Sequence, residues 1–250
     1  MTALDKLFNP AQRKRLADAI PRRVSCRAYT GAPSTADWAS LAYAAERYRL
    51  PGARLALCRV DEVLFTGTLL GMGRITGCTA AAAVIAEPSE PLSRLHAGIL
   101  GEAFALEATG LGLGSCWVSG TYRKRLLTVP LREDEVVLCI IAVGVPVPGS
   151  MNPADRKRKP VERIAKGYDH WPATFRDVAR AVQAAPSAMN MQPWQLLLED
   201  GCFILDGSDR SQLDLGIALC HAELTLPAHS PWQFGSSRGE PLCRTEIKGQ

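Results

Sequence analysis

No two of the eight cysteines stand at Cys-x-x-Cys spacing, so neither a zinc centre nor a thioredoxin-like redox pair is indicated, and no metal site is expected. Most of them sit among apolar neighbours, as Cys139 does in Val-Val-Leu-Cys-Ile-Ile, where a reduced thiol behaves as a small hydrophobe. No apolar run approaches membrane-spanning length, and Met-Thr-Ala-Leu-Asp-Lys lacks the apolar core of a signal peptide. A cytoplasmic, reduced protein with no membrane partner is the expectation. Histidine is scarce, at four, and no Gly-x-Ser-x-Gly elbow accompanies it, which argues against a hydrolase triad. His96 and His221 fall in apolar helical patterns and read as core or cap residues. Aromatics are only 6% of residues, too few to interleave with basic clusters as a nucleic-acid surface requires, so no nucleic-acid partner is expected.

What is present is ordinary material for a globular protein: 250 residues, 47% apolar and 22% charged, enough for a substantial core. A net charge of +4 is mild, but the bases cluster in Arg13-Lys14-Arg15, Arg22-Arg23, Arg123-Lys124-Arg125 and Arg156 to Lys159. Such clusters are either solvated faces or the converging walls of one anion site.

Periodicity and breakers divide the chain. Helices are predicted over 10–20 and from Trp38 to about Tyr48, the second after the capping residues of Pro33-Ser34-Thr35-Ala36-Asp37. Alternation from Arg54 to Val60 predicts a strand that turns at Asp61-Glu62 into a second, Val63-Leu64-Phe65. The glycine-rich run 66–77 fits helix or loop. Thr79 to Ala86 predicts a buried strand, His96 to Thr109 a central helix stopping at Gly110, and Ser115 to Ser119 a further strand. Val136 to Val143, an uninterrupted apolar run, predicts a central strand. The polar segment from Pro146 to Pro160 reads as a long surface excursion. The order helix, proline-containing break, strand, acidic turn, strand then returns between Phe175 and Leu205, followed by an apolar helix from Leu213 to Leu224. Matching order and spacing predict a degenerate internal duplication. From Ser230 onward the pattern carries little signal.

Four stretches carry chemistry. In Arg22-Arg23-Val24-Ser25-Cys26-Arg27-Ala28-Tyr29, extended backbone puts Arg23, Ser25 and Arg27 on one face. Two guanidiniums flanking a hydroxyl suit a phosphate; the plain alternative is a solvated edge strand. Pro186-Ser187-Ala188-Met189-Asn190-Met191-Gln192-Pro193-Trp194 offers Ser187, Asn190 and Gln192 to the polar edge of a planar heterocycle, with Met189 or Trp194 to cover a face. It also suits a helix-to-strand turn whose amides satisfy backbone groups. Gly-Leu-Gly-Leu-Gly-Ser-Cys-Trp-Val-Ser-Gly, residues 110–120, follows a helix and precedes a strand, the reverse of a dinucleotide phosphate turn. Its useful part is Val118-Ser119-Gly120, where a backbone without Cβ admits close ligand approach. In Arg156-Lys157-Arg158-Lys159, extended backbone projects Arg156 and Arg158 together, opposite the two lysines.

Together, Arg-x-Ser-x-Arg-x-Tyr, Gly-Leu-Gly-x-Cys-Trp-Val-x-Gly, Arg-Lys-Pro-x-Glu and Pro-Ser-x-x-Asn-x-Gln-Pro-Trp resemble the FMN-dependent nitroreductase family, in particular its branch with two related halves in one chain. The resemblance runs from about residue 20 to 225. It implies an α+β fold of helices on a mainly antiparallel sheet, with pseudo-repeated halves, 1–165 and 166–250, sharing a core and one FMN per chain. It further implies that Arg23, Ser25 and Arg27 bind the FMN phosphate and ribityl chain, with Arg158 and Arg156 closing on the phosphate. Ser187, Asn190 and Gln192 would lie by the isoalloxazine, and Gly120, with Val118 and Ser119, would bring a backbone N–H near flavin N5. The flavin itself carries the chemistry, so no protein nucleophile is named. The implied activity is NAD(P)H-driven, ping-pong reduction of small electron-poor acceptors of nitroaromatic, quinone or enone type, by a monomer acting as an internal pseudo-dimer or by a homodimer. Departures are Val24, apolar where many members are polar, and Arg49-Leu50-Pro51-Gly52, where the first half lacks the Asn-x-Gln-Pro-Trp loop. The competing reading is a non-catalytic flavin-binding protein or a degenerate scaffold of the same fold.

Overall fold

The computed structural model describes residues 3–65, 74–235 and 242–248. Asn9 starts the first helix, α1 (Pro10–Ala19), through a capping box: its side chain accepts from Gln12 N, and the Gln12 side chain accepts from Asn9 N. Pro10 fits at the first turn because its missing N–H needs no partner there. The arginine octet follows, bridged among the described residues at Ser25 and Ala28 before the short strand β1 (Tyr29–Gly31). Ser34 caps α2 (Thr35–Arg47), which leads into β2 (Ala53–Arg59), β3 (Ala80–Ala86), α3 (Ser93–Gly110), β4 (Gly114–Val118) and β5 (Val136–Pro146). The second half supplies α4 (Ala173–Gln183), β6 (Trp194–Glu199), β7 (Cys202–Gly207) and α5 (Gln212–Thr225), then β8 (Gln233–Phe234) and β9 (Cys243–Glu246).

The expected antiparallel sheet is in fact two. In the first, β3 lies between β2 and β5, and β4 and β1 both pair with β5. Every residue of β3 is buried, and its alanines let helices approach one face closely. The second sheet runs β6-β7-β9-β8. Two sequence expectations give way here. Val63-Leu64-Phe65 is no strand: Asp61 accepts from Val63 N at 2.8 Å and bends the chain into a 3-10 turn over Glu62–Leu64. The partner of β2 is β3 instead, from Ala53↔Ala86 to Arg59↔Ala80. The tail also holds structure, with Cys243 and Thr245 turned inward as β9 pairs with β7. Of the ambiguous run 66–77, residues 66–73 lie outside the described residues.

Helices α3 and α5 cross between the sheets. An added Cβ on Gly98 would stand 2.2 Å from the Leu213 carbonyl oxygen, and one on Gly216 would stand 2.0 Å from that of Leu95. The contact is reciprocal, so the backbones meet with no side chain between them. All eight cysteines are free thiols, His96 and His221 are both buried, and no described helix is long and apolar enough to cross a membrane. Gly216→Ala must push the helices apart and should cost about 1–3 kcal/mol in urea unfolding, the usual penalty of overpacking. Unchanged stability would refute the close crossing.

Candidate functional site

A cavity of about 630 Å³ opens between the octet and β4 on one side and residues 186–190 with α5 on the other. Its first-half wall is the arginine octet, through Val24, Ser25 and Arg27, together with the end of β4 from Cys116 to Thr121. The octet is held against β4 by a bridge between Ser25 and Ser115, with Cys26 N donating to Ser115 O at 2.9 Å. The basic arm 155–158 closes one side. The second half supplies Pro186 to Asn190 and the first turn of α5, with Leu213, Asp214 and Ile217.

One end of this cavity is strongly cationic. Arg156 donates to the Ile20 and Arg23 carbonyls at 3.2 and 3.0 Å, so the basic arm is tied to the start of the octet. Arg158 donates to Asn190 Oδ1 at 3.0 Å and to the Ala184 carbonyl at 3.0 Å, at the C-terminal end of α4, where the helix dipole favours a cation. Arg23 is 1% exposed, and among the described residues none of its three guanidinium nitrogens has a hydrogen-bond partner, though Nε lies 3.5 Å from the Glu102 carboxylate; Arg158 Nε is likewise buried without a hydrogen bond. Burial and the neighbouring Arg23 hold Arg156 below the ordinary arginine range. Burial, Arg23 and Arg156 bring Arg158 down to about 10. Three guanidiniums thus crowd together at this end, and each lowers or opposes the charge of the next.

The loop from Ser187 to Gln192 is strained in place. Met189, Asn190 and Gln192 all have positive φ, at 49°, 57° and 45°, which costs each a non-glycine side-chain clash. Bonds from both halves hold it. Ser187 Oγ accepts from Gln192 N at 2.8 Å, Asp214 Oδ1 accepts from Ala188 N at 2.9 Å, and Gln192 Oε1 accepts from Lys159 N at 2.9 Å. Burial raises the Asp214 carboxyl above its usual range, against that bond from Ala188.

Of the predicted residues, the structure brings Ser25, Arg27, Val118, Ser119, Gly120, Arg156, Arg158, Ser187 and Asn190 to the cavity wall. Two stand behind it. Arg23 is turned into the core, and Gln192, 2% exposed, braces the loop from beneath. Alternation along the basic arm fails as well: Lys157 joins Arg156 and Arg158 at the wall, while Lys159 Nζ donates to the Gln192 carbonyl at 3.2 Å. Trp194, offered as a ring cover, is 1% exposed and belongs to the core, whereas Met189 is 66% exposed at the cavity. Sequence reasoning missed Cys116, Trp117, Asp155 and Asp214. Trp117 lay inside a motif already singled out, and Asp214 was visible as a lone acid opening an apolar helix. Gln192→Ala leaves Lys159 N unpaired and should lower stability by about 1–3 kcal/mol, read as a fall in melting temperature. No change in melting temperature would remove Gln192 from its bracing role.

A family model described as "Putative TM nitroreductase" matches residues 15–226. The crystal structure of a putative nitroreductase from Thermotoga maritima MSB8 is 22% identical, covers 94% of this chain and 94% of its own, and superposes with a TM-score of 0.64, a likeness of fold. An FMN-dependent nitroreductase from Clostridium difficile R20291 is 21% identical, with 56% of this chain and 93% of its own covered at a TM-score of 0.43. No curated protein matches the sequence. The family model spans most of the chain, including every wall of the cavity, and the chain belongs to that nitroreductase family of oxidoreductases.

Proposed function

We propose that this cavity binds FMN and that the protein uses it to pass electrons from NAD(P)H to small electron-poor acceptors of nitroaromatic, quinone or enone type. The observation that carries the reading is the convergence of Arg27, Arg156 and Arg158 on one end of the cavity, with Arg158 Nε buried and without a hydrogen-bond partner among the described residues, because such a donor is costly unless an anion uses it. Size agrees, since about 630 Å³ lies within the usual range for small-molecule sites. Donor chemistry agrees too: a cationic end for phosphate, hydroxyls and amides along the walls, and exposed thioether and apolar surface for a ring.

In this reading Arg27, Arg156 and Arg158 take the phosphate, with Arg23 adding its charge from behind, and Ser25 takes the ribityl chain. Ser187 and Asn190 face the ring edge, while Gln192 keeps their loop in its strained shape. The backbone at Val118, Ser119 and Gly120 would offer N–H groups to the ring, and among the described residues nothing lies within 4 Å of a Cβ added at Gly120. FMN, when bound, supplies hydride acceptance from a nicotinamide and hydride donation to an acceptor. The cationic walls favour negative charge at the site, and the bracing of the loop lowers the entropy lost in orienting its polar groups. Donor and acceptor use the same space in turn. Residues 1–165 and 166–250 act as related halves that complete one site, one FMN per chain, as a monomeric pseudo-dimer.

Titration of the flavin-free protein with FMN should show saturable binding. Arg27→Ala should weaken it about tenfold or more, through loss of a charge-assisted contact worth roughly 1.5–3 kcal/mol. Protein that takes up no FMN would end the reading. With NAD(P)H and a quinone, initial-rate plots at several acceptor concentrations should be parallel; intersecting lines would exclude the shared space.

A further inference from the structure

Beneath the arginine end lies one carboxylate. Glu102, midway along α3 and 0% exposed, has Oε1 3.5 Å from Arg23 Nε and 3.0 Å from His221 Nε2. Its Oε2 accepts from Trp117 Nε1 at 2.9 Å, and His221 Nδ1 donates onward to the Ala181 carbonyl at 2.7 Å. The octet, α3, β4 and α5 therefore converge on one buried carboxylate. Among the described residues it is the only carboxylate within 4 Å of Arg23. No hydrogen bond joins the two, so Glu102 balances the charge of Arg23 without consuming its N–H groups. The wall feels both: Arg23 pushes Arg158 down while Glu102 pushes it up. Burial pushes Glu102 itself up, but Arg23 and the contacts from His221 and Trp117 outweigh it and hold the carboxyl low.

We propose that Glu102 is the specificity-determining residue of the anion end, an internal counter-ion that stabilises the ligand-free arginine cluster and opposes an incoming phosphate. It thereby sets how far the cavity prefers a phosphorylated flavin over a neutral one. The proposal rests on the FMN reading. Arg23, 1% exposed, acts on the phosphate through its field, and Glu102 cancels part of that field. Removing the carboxylate leaves Arg23 uncompensated, which harms the ligand-free protein and helps the anion-bound one.

Full-length, flavin-free protein is titrated with FMN and with riboflavin, which has the same ring and ribityl chain but no phosphate. The readout is the ratio of their dissociation constants. Glu102→Gln should shift that ratio toward FMN by roughly fivefold to tenfold, the effect of one nearby charge in a partly screened interior. Its ligand-free melting temperature should fall. A packing role alone would weaken both flavins together and leave the ratio unmoved; an unmoved or reduced ratio overturns the proposal. Arg23→Met combined with Glu102→Gln removes both charges and should return the ratio to that of the wild type. A collapse of the double variant toward equal affinities would mean direct contact by Arg23 and also overturn it. This variant carries the test even where Glu102→Gln alone does not fold. Wild-type protein binding FMN no better than riboflavin would instead sink the FMN reading itself.

Discussion

Helices α3 and α5 meet backbone to backbone at Gly98 and Gly216, and the arrangement of the two sheets follows from that contact. Each glycine is needed because an added Cβ would strike a carbonyl oxygen of the opposite helix. With the axes this close, one turn beyond Gly98 comes within reach of one turn beyond Gly216, so Glu102 and His221 touch across the crossing. Around it are hung the two sheets, and the cavity opens where the start of α5 faces the end of β4.

The cavity gathers its groups from positions that keep little regular structure of their own. The octet makes isolated bridges, the basic arm has only a short 3-10 turn at Pro153–Asp155, and the polar loop holds left-handed residues. The octet is held within residues 1–165, by Ser115, Thr76 and Arg156, and the basic arm and the polar loop are held by each other. Arg158 ties the first half to Asn190 and to the end of α4, and Gln192 ties the second half to Lys159. A site assembled this way is only as rigid as the crossing that holds the halves in register.

Much of this was legible in the sequence. Helix α3 and strand β5 announced themselves as continuous apolar runs because both are buried on nearly all faces. Nine of the eleven named residues reach the cavity wall because the motifs that carry them are local, and local pattern survives in sequence. Arg23 was misplaced for a physical reason: two-residue alternation holds only in a regular strand, and the octet is not one. Strands β8 and β9 were missed because their signal is short and β9, with which β8 pairs, finds its other partner, β7, far away in the chain. Glu102 gave no pattern at all, since an acid in an apolar helix is explained only by neighbours brought in through tertiary structure.

The distance along the chain between those neighbours has its own consequence. Glu102 and His221 are 119 residues apart, so α3 leaves the ribosome long before the helix that covers it. Through that interval its Gly98 face has no native partner, and the buried carboxylate beside it has no imidazole. Closing so long a loop costs entropy before any contact returns it, which places the crossing late and makes folding slow relative to local helix packing. The nascent first half therefore carries an uncovered apolar helix during synthesis, the kind of surface that chaperones hold.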